Sequence, residues 1–225
     1  MNASQGNRGR SIPFNYSLIL RVGVSSGARK VKGFSRPEAE EKFSRVHVGP
    51  PPLELNGPIA LGAYDSSWPM SFAKEKQRIR HVLGNVAISI EHVGSTSVPG
   101  LAAKPIIDIL LVVPDSAEEA SYVPTLESIG YVLRIREPNW HEHRLLKGAN
   151  VNLHVFSDGD DEIERMLVFR DWLRTNPEDR NRYLRAKREL ARKNWKYTQN
   201  YADAKSKVVE SIIRRARKGS SRGHA

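Results

Sequence analysis

The sequence predicts an α+β fold, a mixed sheet with helices packed on it and a helical region at the C-terminal end, and three patterns carry that reading. Short strand-like apolar runs fill the middle of the chain, amphipathic stretches with helical spacing flank them, and one run, PIIDILLVV (Pro105–Val113), is continuously apolar. A strand of that kind must be covered on both faces, which makes it central.

Taken in order, Ile59–Ala63 reads as a short strand. SSWPMSFAKEKQRIRHVLG offers Ser67 as an N-cap, a proline in the first turn and apolar Phe72, Ile79, Val82 and Leu83, so a helix ending at Gly84 is expected. VAISIEHVG and PIIDILLVV follow as strands. Pro124 starts a short helix through Ile129, YVLRIR is a strand, and HEHRLLKGANVNLHVF reads as a hairpin turning at Gly148-Ala149-Asn150. From Asp161 three helices are expected. The first carries Ile163, Met166, Leu167 and Leu173; the second starts at Asn176-Pro177; the third places Tyr201, Ala204, Val208 and Ile212 on one stripe.

Proline and glycine punctuation and the shift in charge divide the chain. Residues 1–57 read as a basic, disordered extension and linker, 58–217 as one domain whose part from 158 to 217 is helical, and 218–225 as a disordered tail. The 225 residues suffice for one sizeable core. There is no cysteine, which excludes disulfides and thiolate chemistry, and no apolar run reaches the length of a membrane helix. A cytoplasmic protein without a membrane partner is the expectation. The net charge of +11 is uneven: +6 over residues 1–49, −6 over 50–169 and +11 over 170–225. Basic residues interleaved with Tyr183, Trp195 and Tyr197 would suit nucleic acid, but a solvated helix face is the favoured account of them.

EHVGSTSVPGLAAKPIID (Glu91–Asp108) carries the chemistry. A strand running into Gly94-Ser95-Thr96 aims amides and hydroxyls at one spot, an arrangement that attracts phosphate or simply caps a turn. An aspartate within the apolar strand is costly unless it faces a polar cleft. Alternation puts Asn152, His154 and Phe156 on one strand face, while His141 and His143 share another; no third ligand fixes a zinc site there. Lys104, Arg144 and Lys147 are suited to gripping phosphate, and Ser95, Thr96, Lys104 and Arg144 are expected to converge on one anion.

These residues also resemble a known pattern. In nucleotidyltransferases of the polymerase-beta type, a hydrophobic-Gly-Ser turn precedes an Asp-x-Asp pair on the next strand. Val93-Gly94-Ser95 and Asp108 stand at that spacing, but the partner position holds Ile106 or Leu110. More widely, YDSSWPMSFAKEKQRI, IEHVGSTSVPGLAAKPIIDILLVV, GYVLRIREPNWHEHRLLKG, VNLHVF and FRDWLRTNPEDRNRYLRAKRELA resemble the GrpB family over about residues 60–216, a domain also found fused behind dephospho-CoA kinase. The resemblance implies a nucleotidyltransferase-like sheet and a metal-dependent transfer of a nucleotidyl group to an unnamed acceptor. Asp108 would hold Mg2+ or Mn2+, His154 or Glu91 would complete the catalytic set, and Gly94, Ser95, Thr96, Lys104, Arg144 and Lys147 would bind the nucleotide. The alternative is a non-catalytic module for a nucleotide, a coenzyme-like molecule or a partner protein. The chain has no G-x-x-x-x-G-K-[ST] loop, so it is not expected to act as a dephospho-CoA kinase itself. The oligomeric state is left open.

Overall fold

The protein is described here by a computed structural model covering residues 46–220; the expectations for 1–45 and 221–225 lie outside the described residues. Helix α1 (Trp68–Leu83) leads into strand β1 (Ser89–Val93), and β2 (Ile107–Val113) follows the Gly94-Ser95-Thr96 turn. A short helix α2 (Val123–Glu127) precedes β3 (Val132–Glu137), β4 (His143–Lys147) and β5 (Val151–Ser157). Four helices close the chain: α3 (Asp161–Thr175), α4 (Pro177–Ala191), α5 (Thr198–Ala204) and α6 (Ser206–Ser220).

The five strands form one mixed sheet in the order β1-β2-β5-β4-β3. Only β2 and β5 are parallel; the other pairs are antiparallel. The long crossover between β2 and β5 carries the β3–β4 hairpin to the far edge, as a parallel pair requires. β2 is buried at all seven positions, as its continuous apolarity predicts. Its alternate residues face two different layers. Ile107, Ile109, Leu111 and Val113 join α1 and α2 in the main core, with Ile79, Leu83 and Leu126. Leu110 and Val112 point the other way and meet Ile163, Met166 and Leu167 of α3, together with Val93 and Phe156. A third cluster joins Val98 and Leu101 of the post-β1 segment to Phe169, Tyr183, Val209 and Ile212, so α3, α4 and α6 are fastened to the turn after β1.

Local chemistry explains most boundaries. Asn176 caps α4 by accepting from the Asp179 amide at 2.8 Å, with Pro177 in the first helical position. Gly84 ends α1 at a φ of +53°. Ser67 occupies the start of α1 without a side-chain capping bond; instead its own amide donates to Asp65 Oδ1 at 2.8 Å.

Two expectations need correction. Ile59–Ala63 is not a sheet strand: it is held by a single bridge between Gly62 and Ala103, with the Ile59 amide donating to the Ala191 carbonyl at 2.8 Å. The last helical stretch breaks at Lys205, whose amide bonds back to the Ala202 carbonyl at 3.2 Å. That three-residue step moves the buried stripe to Tyr201, Lys205, Val209, Ile212 and Ala216, while Ala204 is exposed. The proline-rich stretch read as a linker runs along the body, where His47 bridges to Ile135 and Gly57 to Trp195.

Gly94 fixes the junction of β1 with its turn. Its φ of +68° favours glycine, and a Cβ there would lie 2.8 Å from Asp108 Cβ and 2.9 Å from Asp108 Cγ, on top of the carboxylate. Gly100, at φ +76°, faces open space. Gly94→Ala is therefore expected to cost more than about 2 kcal/mol and Gly100→Ala about 1 kcal/mol, measured by urea unfolding. Equal costs would mean that the approach of Asp108 to Gly94 constrains nothing.

Candidate functional site

Asp108, the second residue of β2, is 3% exposed. Its cross-strand neighbours are Val93 on β1 and Asn152 on β5, and the next pair along is Leu110 with His154. Because paired residues share a face, Asp108, Asn152 and His154 all point toward the C-terminal helices. β4 extends this polar row with Lys147, opposite Asn152, while apolar Leu145 stands opposite His154. Asn152 Nδ2 donates to Asp108 Oδ1 at 2.7 Å, and Lys147 Nζ donates to Asn152 Oδ1. His154 Nε2 lies 3.9 Å from Asp108 Oδ1, beyond hydrogen-bond range. Its other nitrogen, Nδ1, is 3.2 Å from His143 Nε2, and His143 Nδ1 is 2.8 Å from Glu137 Oε2. Burial pushes the His154 pKa below its usual value, against the pull of Asp108.

Four lysines lie near enough to Asp108 to feel its charge. Lys104 comes from the segment before β2, Lys147 from the end of β4, Lys187 from α4 and Lys205 from the junction of α5 with α6. Each feels the negative charge of Asp108, and the charge of Lys104 bears on the other three. Burial is the dominant influence on all of them. It lowers the pKa of Lys104 to about 8 and that of Lys187 to about 7, and it pushes Lys147 and Lys205 well below the usual lysine range. Lys187 Nζ donates to the Ala102 carbonyl at 2.6 Å, while Lys205 Nζ lies 4.3 Å from the centre of the Tyr201 ring.

Several polar atoms in this neighbourhood are buried without a hydrogen-bond partner: Lys104 Nζ, His154 Nε2, Tyr183 Oη and Tyr201 Oη. Lys104 Nζ is 5.9 Å from the centre of the Tyr201 ring, and the Tyr183 hydroxyl feels Asp108. An unsatisfied buried polar group costs about 1–3 kcal/mol, so these four atoms are a standing cost to the ligand-free fold. Beside Lys147 lies a cavity of about 170 Å³, lined by His47, Pro50–Pro52 and Arg134 among others.

The other residues singled out from the sequence are placed less uniformly. Gly94 abuts the Asp108 carboxylate. Ser95 opens the single helical turn after it, and its hydroxyl bears on that of Tyr183. Thr96 is buried and its hydroxyl donates to the Ile106 carbonyl at 3.1 Å, so its proton is committed to the fold. Glu91 is engaged at 2.8 Å by Arg170 of α3. The expected convergence of Arg144 with Lys104 does not occur. Arg144 sits on the opposite face of β4 from Lys147, paired with Glu119 at 2.5 Å and Glu142 at 3.2 Å, because neighbouring residues of a strand alternate in direction. His92 stacks on Phe72 and bonds Thr96, and burial lowers its pKa to about 4, which keeps it neutral. His141 and His143 part company: His141 Nδ1 meets Asp160 at 2.9 Å and Asp161 at 3.3 Å, near the start of α3.

Lys187, Lys205, Tyr183, Tyr201 and Glu137 were not recognised from the sequence as site residues. Their signal was present in the helical periodicity. Asp179, Tyr183, Lys187 and Ala191 recur at four-residue intervals on the buried face of α4, which a solvated lysine would not do. Lys205 was hidden by the break after α5, which moves the buried stripe by one residue.

Relatives share this framework. The family model described as GrpB protein matches residues 58–215. The chain belongs to the GrpB family. A UPF0157 protein of Halalkalibacterium halodurans is 58% identical over 187 residues, 81% of this chain and 94% of that protein. The crystal structure of conserved protein GrpB from Enterococcus faecalis superposes with a TM-score of 0.61 at 32% identity, covering 72% of this chain and 99% of that one. A dephospho-CoA kinase of Mycolicibacterium paratuberculosis is 29% identical over 159 residues, 58% of this chain but 39% of that protein. A structure of Cid1 poly(U) polymerase superposes with a TM-score of 0.41 at 12% identity, over 67% of this chain and 45% of that one. Among the described residues no helix is long and apolar enough to cross a membrane.

The lysine pKa values set a pH dependence. In the folded protein Lys104 and Lys187 lose their protons near pH 8 and 7, whereas in the unfolded chain they keep them to near 10.5. Between those limits the unfolded state binds more protons, so these groups make the ligand-free protein more stable as pH rises from about 7 toward 10. Lys187→Met is expected to raise the ligand-free melting temperature at pH 7 by several degrees, at about 2–4 °C per kcal/mol, and to flatten the rise with pH. Scanning calorimetry of both proteins across that range measures it. A variant curve parallel to that of the parent protein would show that Lys187 is not held at a lowered pKa.

Proposed function

We propose that this chain binds a phosphate-bearing small molecule, a nucleotide or a coenzyme-like compound, in the pocket of lysines around Asp108. The observation that carries the reading is the sign of the charge: Lys104, Lys147, Lys187 and Lys205 are gathered about a single carboxylate. Ammonium groups held together in a poorly hydrated place repel one another, and burial already lowers their pKa values. A phosphate group supplies the missing counter-charge and offers acceptor oxygens to Lys104 Nζ, Tyr183 Oη and Tyr201 Oη, which lack acceptors in the free protein. Arg144, already satisfied by Glu119 on the other face, takes no part.

The donor set suits an anion better than a divalent cation. A magnesium site of the two-metal kind gathers carboxylates on one face. Here the positions beside Asp108 on that face are Asn152, Leu110 and His154, and Asn152 donates to Asp108 rather than competing for a metal. Asp108 acts instead as the fixed negative centre that holds Asn152, and through it Lys147, in place. The transfer of a nucleotidyl group is a second reading, favoured by one observation: the Gly94 turn packs directly on the Asp108 carboxylate. Binding of nucleic acid along α4 has less behind it, because Tyr183 is fully buried and Trp195 is half-buried against the cluster of Ile59, Ala191 and Tyr201.

Calorimetric titration with phosphate, pyrophosphate, ATP and coenzyme A, each with and without EDTA, tests the reading. Binding is expected to survive EDTA and to weaken at least tenfold, about 1.4 kcal/mol, in Lys104→Met and Lys187→Met, but not in Arg144→Ala. It should also draw in protons at pH 7.5, seen as a heat that depends on the ionisation enthalpy of the buffer, because an anion raises the depressed lysine pKa values. Strict dependence on metal, together with label transfer from a triphosphate that disappears in Asp108→Asn, would favour the transferase instead.

A further inference from the structure

Glu137, His143, His154 and Asp108 form a buried line across one face of three neighbouring strands and the edge strand β3. Each is no more than 6% exposed. The two imidazoles are within 21° of parallel with centroids 5.4 Å apart, the nearly coplanar arrangement that an in-plane N–H···N bond needs, and Nε2 of His143 lies 3.2 Å from Nδ1 of His154. His143 is also stacked on Phe156 at 4.9 Å and met edge-on by Trp140 at 5.5 Å, which fixes its ring.

A neutral imidazole has one N–H donor and one acceptor nitrogen. In a pair of them the hydrogen bonds run in one direction or the other, and the carboxylates at the two ends compete to set it. Glu137 Oε2 is 2.8 Å from His143 Nδ1, whereas Asp108 Oδ1 is 3.9 Å from His154 Nε2. Glu137 therefore wins: His143 donates from Nδ1 to Glu137 and accepts at Nε2 from the Nδ1–H of His154. His154 Nε2 is left with a lone pair facing a carboxylate. Two acceptors cannot bond each other, and that nitrogen has no hydrogen-bond partner.

We infer that Glu137 and His143 are positioning residues that hold His154 as its Nδ1–H tautomer, so that Nε2 serves as acceptor and base for a hydroxyl of the bound ligand. The inference rests on the reading of the Asp108 pocket as the ligand site and narrows the ligand to a phosphorylated compound bearing a hydroxyl group. A hydroxyl hydrogen placed beside Nε2 supplies the donor that His154 lacks. When the O–H bond breaks, its proton passes to Nε2 and the electron pair stays on the ligand oxygen as an alkoxide, while the imidazolium is compensated by Asp108 and, through His143, by Glu137. The charged groups that act on His154 are Asp108, Lys147 and Glu137, and burial keeps the ring neutral until a proton is delivered.

Long-range 1H–15N spectra of the full chain labelled at histidine test the assignment. In the parent protein His154 should show a protonated Nδ1 and a bare Nε2. In Glu137→Leu the chain of bonds should reverse, with His143 donating from Nε2 and His154 from Nε2 to Asp108, while Glu137→Gln, whose carbonyl still accepts, should keep the parent tautomer. Glycerol 3-phosphate should shift the Nε2 resonance of the parent protein, and propyl phosphate, which lacks the hydroxyls, should not. A protonated Nε2 in the parent protein, an unmoved tautomer in Glu137→Leu, or equal responses to the two phosphates would overturn the inference. Failure of phosphate to bind the parent protein would sink the anion reading and leave the tautomer result standing.

Discussion

A single carboxylate buried inside the sheet organises this molecule. Asp108 lies where β1, β2 and β5 meet, and a carboxylate at such a depth is tolerable only with hydrogen bonds and counter-charge around it. Asn152 supplies a hydrogen bond from the neighbouring strand, and lysines from four separate parts of the chain supply charge. Gly94 gives way sterically so that the carboxylate can lie against the backbone of the turn. Four lysines are more than one carboxylate can balance, and burial answers by lowering their pKa values, to about 8 for Lys104 and about 7 for Lys187.

The architecture serves that arrangement. The apolar face of β2 is sealed by α1 and α2, so the sheet is rigid from behind. On the other face α3 covers the C-terminal half of β2 with Leu110 and Val112, and the start of the strand, where Asp108 sits, is approached by α4 and by the α5–α6 junction. The C-terminal helices thus bring Lys187, Lys205 and the hydroxyl-bearing rings of Tyr183 and Tyr201 to this side of the sheet. The parallel pairing of β2 with β5 brings Asn152 and His154 beside Asp108, and the hairpin return through β4 places Lys147 and His143 in the same row. Buried polar groups linked in this way gain strength from a low local dielectric, but only while every member has its partner. Lys104 Nζ, His154 Nε2, Tyr183 Oη and Tyr201 Oη, like Trp140 Nε1, are buried without one.

Much of the fold was legible in the sequence because its elements depend on local patterns. The continuous apolarity of Ile106–Val113 required a central strand, and Asn176-Pro177 required a helix start. Gly148-Ala149-Asn150 required a hairpin, and all three features are present. Asp108, Gly94, Lys104, Lys147 and His154 could be singled out because a polar residue in an apolar strand, or a glycine at a strand end, conflicts with its surroundings. Strand alternation alone would have shown that Arg144 and Lys147 point to opposite faces, and the hairpin register confirms it.

By itself the sequence determined which segments are strands and helices and which of their residues are out of place, because both follow from periodicity over a few neighbouring positions. The tertiary structure decided what surrounds those residues. Lys187 and Lys205 look like ordinary members of a basic helical region, and only the packing of α4 and of the α5–α6 junction against the sheet turns them toward Asp108. Glu137 lies 29 residues from Asp108 in the chain and reaches it only through two histidines on adjacent strands. Charge and hydrogen bonding act through space over a few ångströms, and no periodicity along the chain encodes which distant residues will share that space.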